Sequence, residues 1–478
     1  MRHLLIDGQL IDPGRSFPTL NPATGEALEP APDATVAHAE AAVTAARRAF
    51  DSTSWSTDVT LRLRCLRQLS DALEANKEEL RQLTIAEAGH TYALTNGPAV
   101  EEPIKLIGYY ADLLESTPLR EDLPDVESRG RMHRRWVEKE PAGVVAAIVA
   151  YNFPTQLALA KLAPALAAGC TVVLKAAPDA PLQTLWLGEL IASATDIPAG
   201  VVNVLSSSEV AVGEVLTSHP DVDMITFTGS TPVGRRIMEV ASATVKRVFL
   251  ELGGKSAMIV LDDADFDVVA MVAAMTICSN SGQGCAITSR LLVPRSHHDE
   301  IVNRVLAALA MVKQGDPSDP EVSMGPLISA RQREKVDAIV QRATAAGATL
   351  AVGGTKIDPG FFYAPTVLTG VDPDSEVAQE ELFGPVLCVI AYDDDDDAVR
   401  IANDSIFGLS GAVYGADEER AIAVARRIRT GTVGVNGGSW FAPDSPFGGY
   451  KQSGIGREMG RAGLDEFLER KVIAVPIA

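Results

Sequence analysis

Cysteine is scarce in this chain: five in 478 residues, at 65, 170, 278, 285 and 388, too few and too scattered for a disulfide framework. That usage fits a reducing cytoplasm, where a thiol stays free to react. Basic charge is short as well. Against 63 Asp and Glu stand 42 Lys and Arg, a formal net charge of −21. So acidic a surface repels phosphate backbones and anionic lipid, which argues against nucleic acid and membrane partners. No run of 18 apolar residues occurs; the longest apolar stretch, around Val144 to Ala150, has the length of a strand. The opening MRHLLIDGQLIDPG breaks its apolar character at Asp7 and Gly8 and does not read as a signal peptide. The seven histidines make no HExxH and the cysteines no Cys-x-x-Cys, so no metal is expected. The G-x-S-x-G elbow of serine hydrolases is absent too. There is no internal repeat, and the one biased segment, Asp393–Asp397, suits a helix N-terminus, where carboxylates meet the positive end of the dipole.

What is present is alternation. At about 150 residues per domain the length leaves room for roughly three units. Early helices are predicted from Asp33, as N-cap, to Phe50, and from about Val59 to Ala88, stopping at Gly89. Apolar runs of strand length follow at 143–150, 171–176, 201–205, 224–229 and 247–252, separated by helical stretches near 154–168, 181–195, 209–218 and 232–243. Buried strands alternating with helices imply right-handed crossovers and a parallel, doubly wound sheet, with ligands at the carboxyl ends of its strands. The alternation restarts after Leu252, with strands at 256–261, 290–293, 385–392, 411–415 and 431–436 and helices between them, which predicts a second α/β domain. The stretch 121–138 fits neither pattern and, with the segment from Glu469, reads as an extended arm.

Four places carry residues suited to chemistry. In SNSGQGCAITSR (279–290), Gly282 and Gly284 let the backbone bend and Ala286 leaves space beside Cys285. That cysteine is a nucleophile or a packed thiol, and its neighbours alone leave the two readings level; Cys278 reads as core. Glu251 ends an apolar strand before two glycines, as a general base or a structurally paired acid. In FTGSTPVGRR (227–236), Gly229, Ser230 and Gly234 open a helix after a strand, where amides and a hydroxyl can meet a pyrophosphate, although the GxxxxG spacing is not GxGxxG. Asn152 follows a strand and can either turn the chain or donate to a developing oxyanion.

Taken together, NPATGE (21–26), YNFP (151–154), TVVLKA (171–176), FTGSTPVG (227–234), LELGGK (250–255), GQGC (282–285), EELFGP (380–385) and PFGGYKQSGIGRE (446–458) resemble the aldehyde dehydrogenases over nearly the whole chain, in order and spacing. The resemblance implies NAD-dependent oxidation of an aldehyde to the acid. Cys285 would form a thiohemiacetal and then a thioester, Asn152 and the Cys285 amide would hold the oxyanion, and Glu251 would activate the hydrolytic water. The retained Glu251 disfavours the alternative of acyl transfer to coenzyme A. The Lys175 and Ser230 cofactor set disfavours a cofactor-independent cysteine esterase, and the presence of both Cys285 and Glu251 disfavours a member turned binding protein.

For the cofactor it implies Lys175, Gly229, Ser230, Gly234, Glu381 and Phe383. NAD is expected, with NADP left open, because Pro178 stands where relatives often carry a glutamate that binds the ribose 2′-hydroxyl; Asp179 follows it. For the substrate it implies a tunnel lined by Phe153, Leu157, Ala160, Trp440 and Phe441, suited to an aliphatic or aromatic aldehyde and widened at Ala160. Tyr151 replaces the Trp common beside that asparagine. The implied architecture is α/β, with two doubly wound domains: cofactor binding in 1–120 and 141–253, catalysis in 254–452. Residues 121–140 and 453–478 would form a β oligomerisation arm and tail that pairs subunits into a homodimer or homotetramer.

Overall fold

The computed structural model describes residues 1–477. The buried apolar runs assemble into a first sheet of eight strands, ordered Gln9–Ile11, Leu4–Ile6, Val202–Leu205, Thr171–Lys175, Val144–Ile148, Met224–Thr228, Arg247–Glu251 and Gly454–Ile455. The five from Val202–Leu205 to Arg247–Glu251 run parallel. Every residue of Thr171–Lys175 and Met224–Thr228 is buried, as befits strands covered on both faces. Winding reverses between Val144–Ile148, first of the five in chain order, and Met224–Thr228, the fourth. Such a reversal opens a crevice at the carboxyl ends of the two strands. Tyr151 and Asn152 leave one of them, Gly229 and Ser230 the other.

The second sheet has seven strands, ordered Thr349–Val352, Thr366–Thr369, Val386–Tyr392, Arg290–Pro294, Ala257–Val260, Gly411–Tyr414 and Gly434–Val435. Only Thr349–Val352 is antiparallel to its neighbour. A third, antiparallel sheet joins Arg120–Ser128, Arg131–Pro141 and Leu468–Pro476, the last in register from Leu468↔Pro141 to Pro476↔His133. The fold is α/β with two helix-covered sheets and a small β arm.

Some local expectations change. Asp33 does not cap the first helix; Thr35 does, before Val36–Ser52. Asp33 is instead a buried acceptor for Ser207, Ser208 and Arg15. The stretch 59–88 is two helices, Val59–Ala75 and Lys77–Ala88, broken at Asn76, whose Nδ2 donates to the Ala72 carbonyl at 2.8 Å. The N-terminal residues form a hairpin on the first sheet, turning at Asp7 and Gly8 with φ of 55° and 73°. Residues 453–478 divide: Gly454–Ile455 extends the first sheet beside Glu251, Gly460–Glu466 is helical, and Leu468–Pro476 joins the arm. Asp394 caps the helix Asp395–Asn403, with three aspartates in its first turn. Among the described residues no helix is long and apolar enough to cross a membrane.

Candidate active site

Cys285 follows the helix Phe266–Cys278 after a tight irregular turn. Asn280 and Ser281 there take positive φ values of 44° and 52°, a conformation that persists in non-glycine residues only when the surroundings hold it. The Asn280 amide donates to the carbonyls of Asn152 at 2.9 Å and Gln283 at 3.2 Å, and Ser281 Oγ to that of Gly325 at 2.6 Å. Gly282 has φ of 74°, and a Cβ on it would strike the Gly384 carbonyl. This anchored turn presents Cys285 half-buried, while the other four cysteines are buried, Cys278 within the core.

Asn152 is held at both ends. Its Nδ2 donates to the Gln283 carbonyl at 3.1 Å, while its own carbonyl accepts from Asn280 and from His90 Nε2 at 2.8 Å. An amide nitrogen carries two hydrogens, so one N–H remains for a ligand. Burial pushes the His90 pKa down to about 4. Its ring is therefore neutral, donating from Nε2, with Nδ1 unpartnered among the described residues.

Glu251 ends the strand Arg247–Glu251, is 1% exposed, and neither of its oxygens has a hydrogen-bond partner among the described residues. Burial, then repulsion from Glu458, raises its pKa to about 8, with the nearby Cys285 thiol and Lys161 pulling the other way. Burial and the charge of Glu251 in turn hold the Cys285 thiol well above its ordinary value.

The glycines after Glu251 are explained by close approach. A Cβ on Gly253 would strike the Glu381 carboxylate, and one on Gly254 the Cys285 carbonyl. Glu381 accepts from the Gly254 amide at 3.0 Å, and burial raises its pKa to about 7. Phe383 is held at φ of 60° with its ring edge-on to Tyr151 at 5.9 Å, and Gln332 Nε2 bonds the Leu382 and Phe383 carbonyls, both at 2.8 Å.

Two cavities meet at these groups. One, about 440 Å³, opens at the winding reversal and is lined by Lys175, Pro178, Gly229, Ser230, Glu251, Glu381 and Phe383. The other, about 460 Å³, is lined by Phe153, Leu157, Trp440 and Phe441. Asn152 and Cys285 line both. The first cavity fits a dinucleotide. Lys175 Nζ is buried, its pKa lowered to about 8 by burial, and makes one long bond, 3.3 Å, to the Ala176 carbonyl. Thr228 Oγ1 is buried without a partner among the described residues. Ser230 caps the helix Thr231–Ala241 without spending its hydroxyl, leaving it and the helix amides for an anion. A Cβ on Gly229 would strike the Phe227 ring, so glycine keeps this lip open.

Two expected residues lie elsewhere. Gly234 does not line the cleft; its amide bonds the Ser230 carbonyl at 3.0 Å, and a Cβ would meet Leu252 at 2.7 Å, so it is a packing glycine. Ala160 is 1% exposed, inside the core, and does not line the second cavity. Asp179 does line the cleft and pairs with Arg331 across it at 3.1 Å.

Sequence reasoning missed His90, Asn280, Lys161 and Glu458. Lys161 sits within Pro154–Ala168, a helix buried at every position, and pairs with Glu458 at 2.5 Å. A lone lysine in LALAKLAPALAA was the available signal. His90 and Asn280 act through a backbone carbonyl that sequence does not reveal. Among the described residues no group of three or more His, Cys, Asp or Glu could hold a metal ion.

Fold and site define a two-sheet α/β protein in which a half-buried thiol lies between a cleft at the winding reversal and a second chamber with aromatic lining. The sequence model of the aldehyde dehydrogenase family matches residues 11–473, and the chain belongs to that family. It is 40% identical to a 3-succinoylsemialdehyde-pyridine dehydrogenase from Pseudomonas sp, over 99% of this chain and 98% of that protein. It is 39% identical to the geranial dehydrogenase of Castellaniella defragrans, over 99% and 98%. Among solved structures, an aldehyde dehydrogenase of Mycobacterium tuberculosis complexed with NAD+ superposes with a TM-score of 0.95 at 40% identity, covering 99% of this chain and 98% of that one. A mutant aldehyde dehydrogenase C from Pseudomonas syringae, with NAD+ and octanal, gives 0.93 at 38%, covering 99% and 96%.

Proposed function

We propose that the protein oxidises an aldehyde to its carboxylic acid with NAD+, in the two cavities that meet at Cys285 and Asn152. That shared wall carries the reading: an aldehyde in one chamber and a nicotinamide in the other would face the same sulfur. Family membership and the NAD+ bound in related structures support it. Cys285 Sγ adds to the carbonyl carbon as its proton passes to Glu251. The oxyanion receives the free Asn152 Nδ2–H and the Cys285 amide. Lys175, Ser230, Glu381 and Phe383 would hold NAD+, which when bound would supply the hydride acceptor. With the hydride gone, the acyl group is a thioester on Cys285. Glu251 releases that proton to solvent and takes another from water, the hydroxide displaces the sulfur, the acid leaves, and the Glu251 proton returns to the Cys285 thiolate.

The apolar lining by Phe153, Leu157, Trp440 and Phe441 supports an aliphatic or aromatic aldehyde. The division into a cofactor domain (1–120 and 141–253), a catalytic domain (254–452) and an arm is part of the same proposal, with Gly454–Ile455 serving the cofactor sheet. Open edges on the three-stranded arm, with Val472 62% exposed, support assembly into a homodimer or homotetramer. Five free cysteines support a cytoplasmic setting.

NADH absorbance with hexanal and benzaldehyde, for the native enzyme and Cys285→Ala, tests the reading. Turnover by the native enzyme and none by the variant is expected. Absence of NADH from the native enzyme with a wider aldehyde panel overturns it.

A further inference from the structure

The aldehyde chamber is unevenly charged. Its lining contains two carboxylates, Glu102 and Glu458, and no lysine, arginine or histidine. Glu458 is neutralised by Lys161 at 2.5 Å. Glu102 is not neutralised. It stands in the first turn of the helix Glu101–Ser116, where an acid suits the helix dipole. Its neighbour Glu101 occupies the same turn but is committed to Arg81 at 2.7 Å. Glu102 forms no ion pair among the described residues and lines the chamber instead. The lining is also rich in aromatics: Trp440 stacks on Phe447 at 5.4 Å, Phe441 meets Trp440 edge-on at 6.1 Å, and Phe153 joins them. Aromatic faces and an unpaired carboxylate both attract cations, and the carboxylate repels an anion.

We infer that Glu102 makes this chamber a charge filter, favouring aldehydes that carry a positive group, such as a quaternary ammonium, and turning away those that carry a carboxylate. The inference rests on reading the chamber beside Cys285 as the aldehyde site. Glu102 is a specificity-determining residue, and the chemistry at Cys285 does not pass through it.

The test is kcat/KM for three aldehydes of similar length: 4-(trimethylammonio)butanal, hexanal and 5-oxopentanoate. The native enzyme is expected to prefer the cationic over the anionic aldehyde by at least about tenfold, a ratio that shrinks as salt is raised. Glu102→Gln is expected to cut that ratio by about tenfold, Glu102→Asp to retain most of it, and Glu102→Lys to invert it. Hexanal turnover reports whether each variant is folded and competent. An unchanged ratio in Glu102→Gln, or a native preference for 5-oxopentanoate, overturns the inference while leaving the dehydrogenase reading intact. Failure of the native enzyme on all three, hexanal included, overturns both.

Discussion

His90 donates from Nε2 to the backbone carbonyl of Asn152 at 2.8 Å, and so fixes the residue that lines both cavities together with Cys285. Asn280 bonds the same carbonyl at 2.9 Å from the turn that carries Cys285. The two donors lock amide and sulfur to one point. Because burial pushes the His90 pKa down to about 4, the ring stays a neutral donor through the whole working pH range. Replacing His90 by alanine is expected to lower kcat by about tenfold, since small misplacements of a catalytic group cost heavily. KM for NAD+ should move little, because His90 lies outside the cofactor cleft. His90→Gln, which restores an N–H donor, should recover part of the loss. Steady-state kinetics on both variants check this; a native kcat in His90→Ala would show that Asn280 alone suffices.

Glu251 is held protonated by its own burial, with a pKa raised to about 8. A carboxyl whose folded pKa exceeds its unfolded value stabilises the fold fully below the unfolded value and loses that contribution as pH rises through the folded one. Glu251→Gln removes that loss. Its Tm should exceed that of the native enzyme at pH 9, and the difference should close near pH 4. Activity runs the other way, because water activation needs the carboxylate. Native turnover should climb as pH passes through about 8, whereas Glu251→Gln, lacking the base for both the thiol's proton and the water's, should give a slowed burst of at most one NADH per site and then stall as the thioester. Scanning calorimetry and stopped-flow absorbance separate the two effects.

Much of this was legible because it rests on short-range pattern. The helix Pro154–Ala168 falls where periodicity places it, and the five parallel strands of the first sheet agree within a residue or two, since buried parallel strands read as unbroken apolar runs; its three antiparallel edge strands were not foreseen. Asn76 was not legible as a break, because Val59 to Ala88 keeps its helical period across it. Asp33 looked like a cap because nothing local distinguishes a carboxylate that caps from one that accepts from Ser207 and Ser208, far along the chain. Within the site, motif glycines located the glutamate and cysteine but did not say why they are glycines. Gly253 and Gly254 yield space to Glu381 and to the Cys285 carbonyl, contacts that only the tertiary fold creates. Gly234 shows the converse, a motif glycine whose demand comes from Leu252.

Pro178 removes an acid from the cofactor cleft, and Asp179 is held by Arg331 at 3.1 Å rather than left free to repel a 2′-phosphate. Discrimination between the two dinucleotides should therefore be shallow, NAD+ being favoured over NADP+ by less than about 100-fold in kcat/KM. Pro178→Glu should widen the preference by about tenfold or more through charge repulsion. A tenfold native preference for NADP+ would falsify the assignment of NAD+.

Lys161 and Glu458 form a buried pair, 0% and 8% exposed at the side chain, and both act on Glu251: Glu458 pushes its pKa up and Lys161 pulls it down. Removing either charge alone strands the other in the core, which typically costs about 3–5 kcal/mol. Replacing both, as Lys161→Met with Glu458→Gln, avoids the stranded charge and should be much less destabilising than the sum of the singles. The kinetic consequence differs from the stability consequence. Glu458→Gln removes a repulsive neighbour, so the rising limb of the pH–rate profile should move to lower pH; Lys161→Met should move it to higher pH. In the double variant the two displacements oppose each other, and because repulsion from Glu458 is the larger influence, the limb should settle below the native one. Measured between pH 6 and 10 on folded protein, a limb that ignores all three substitutions would mean that another group limits the rate.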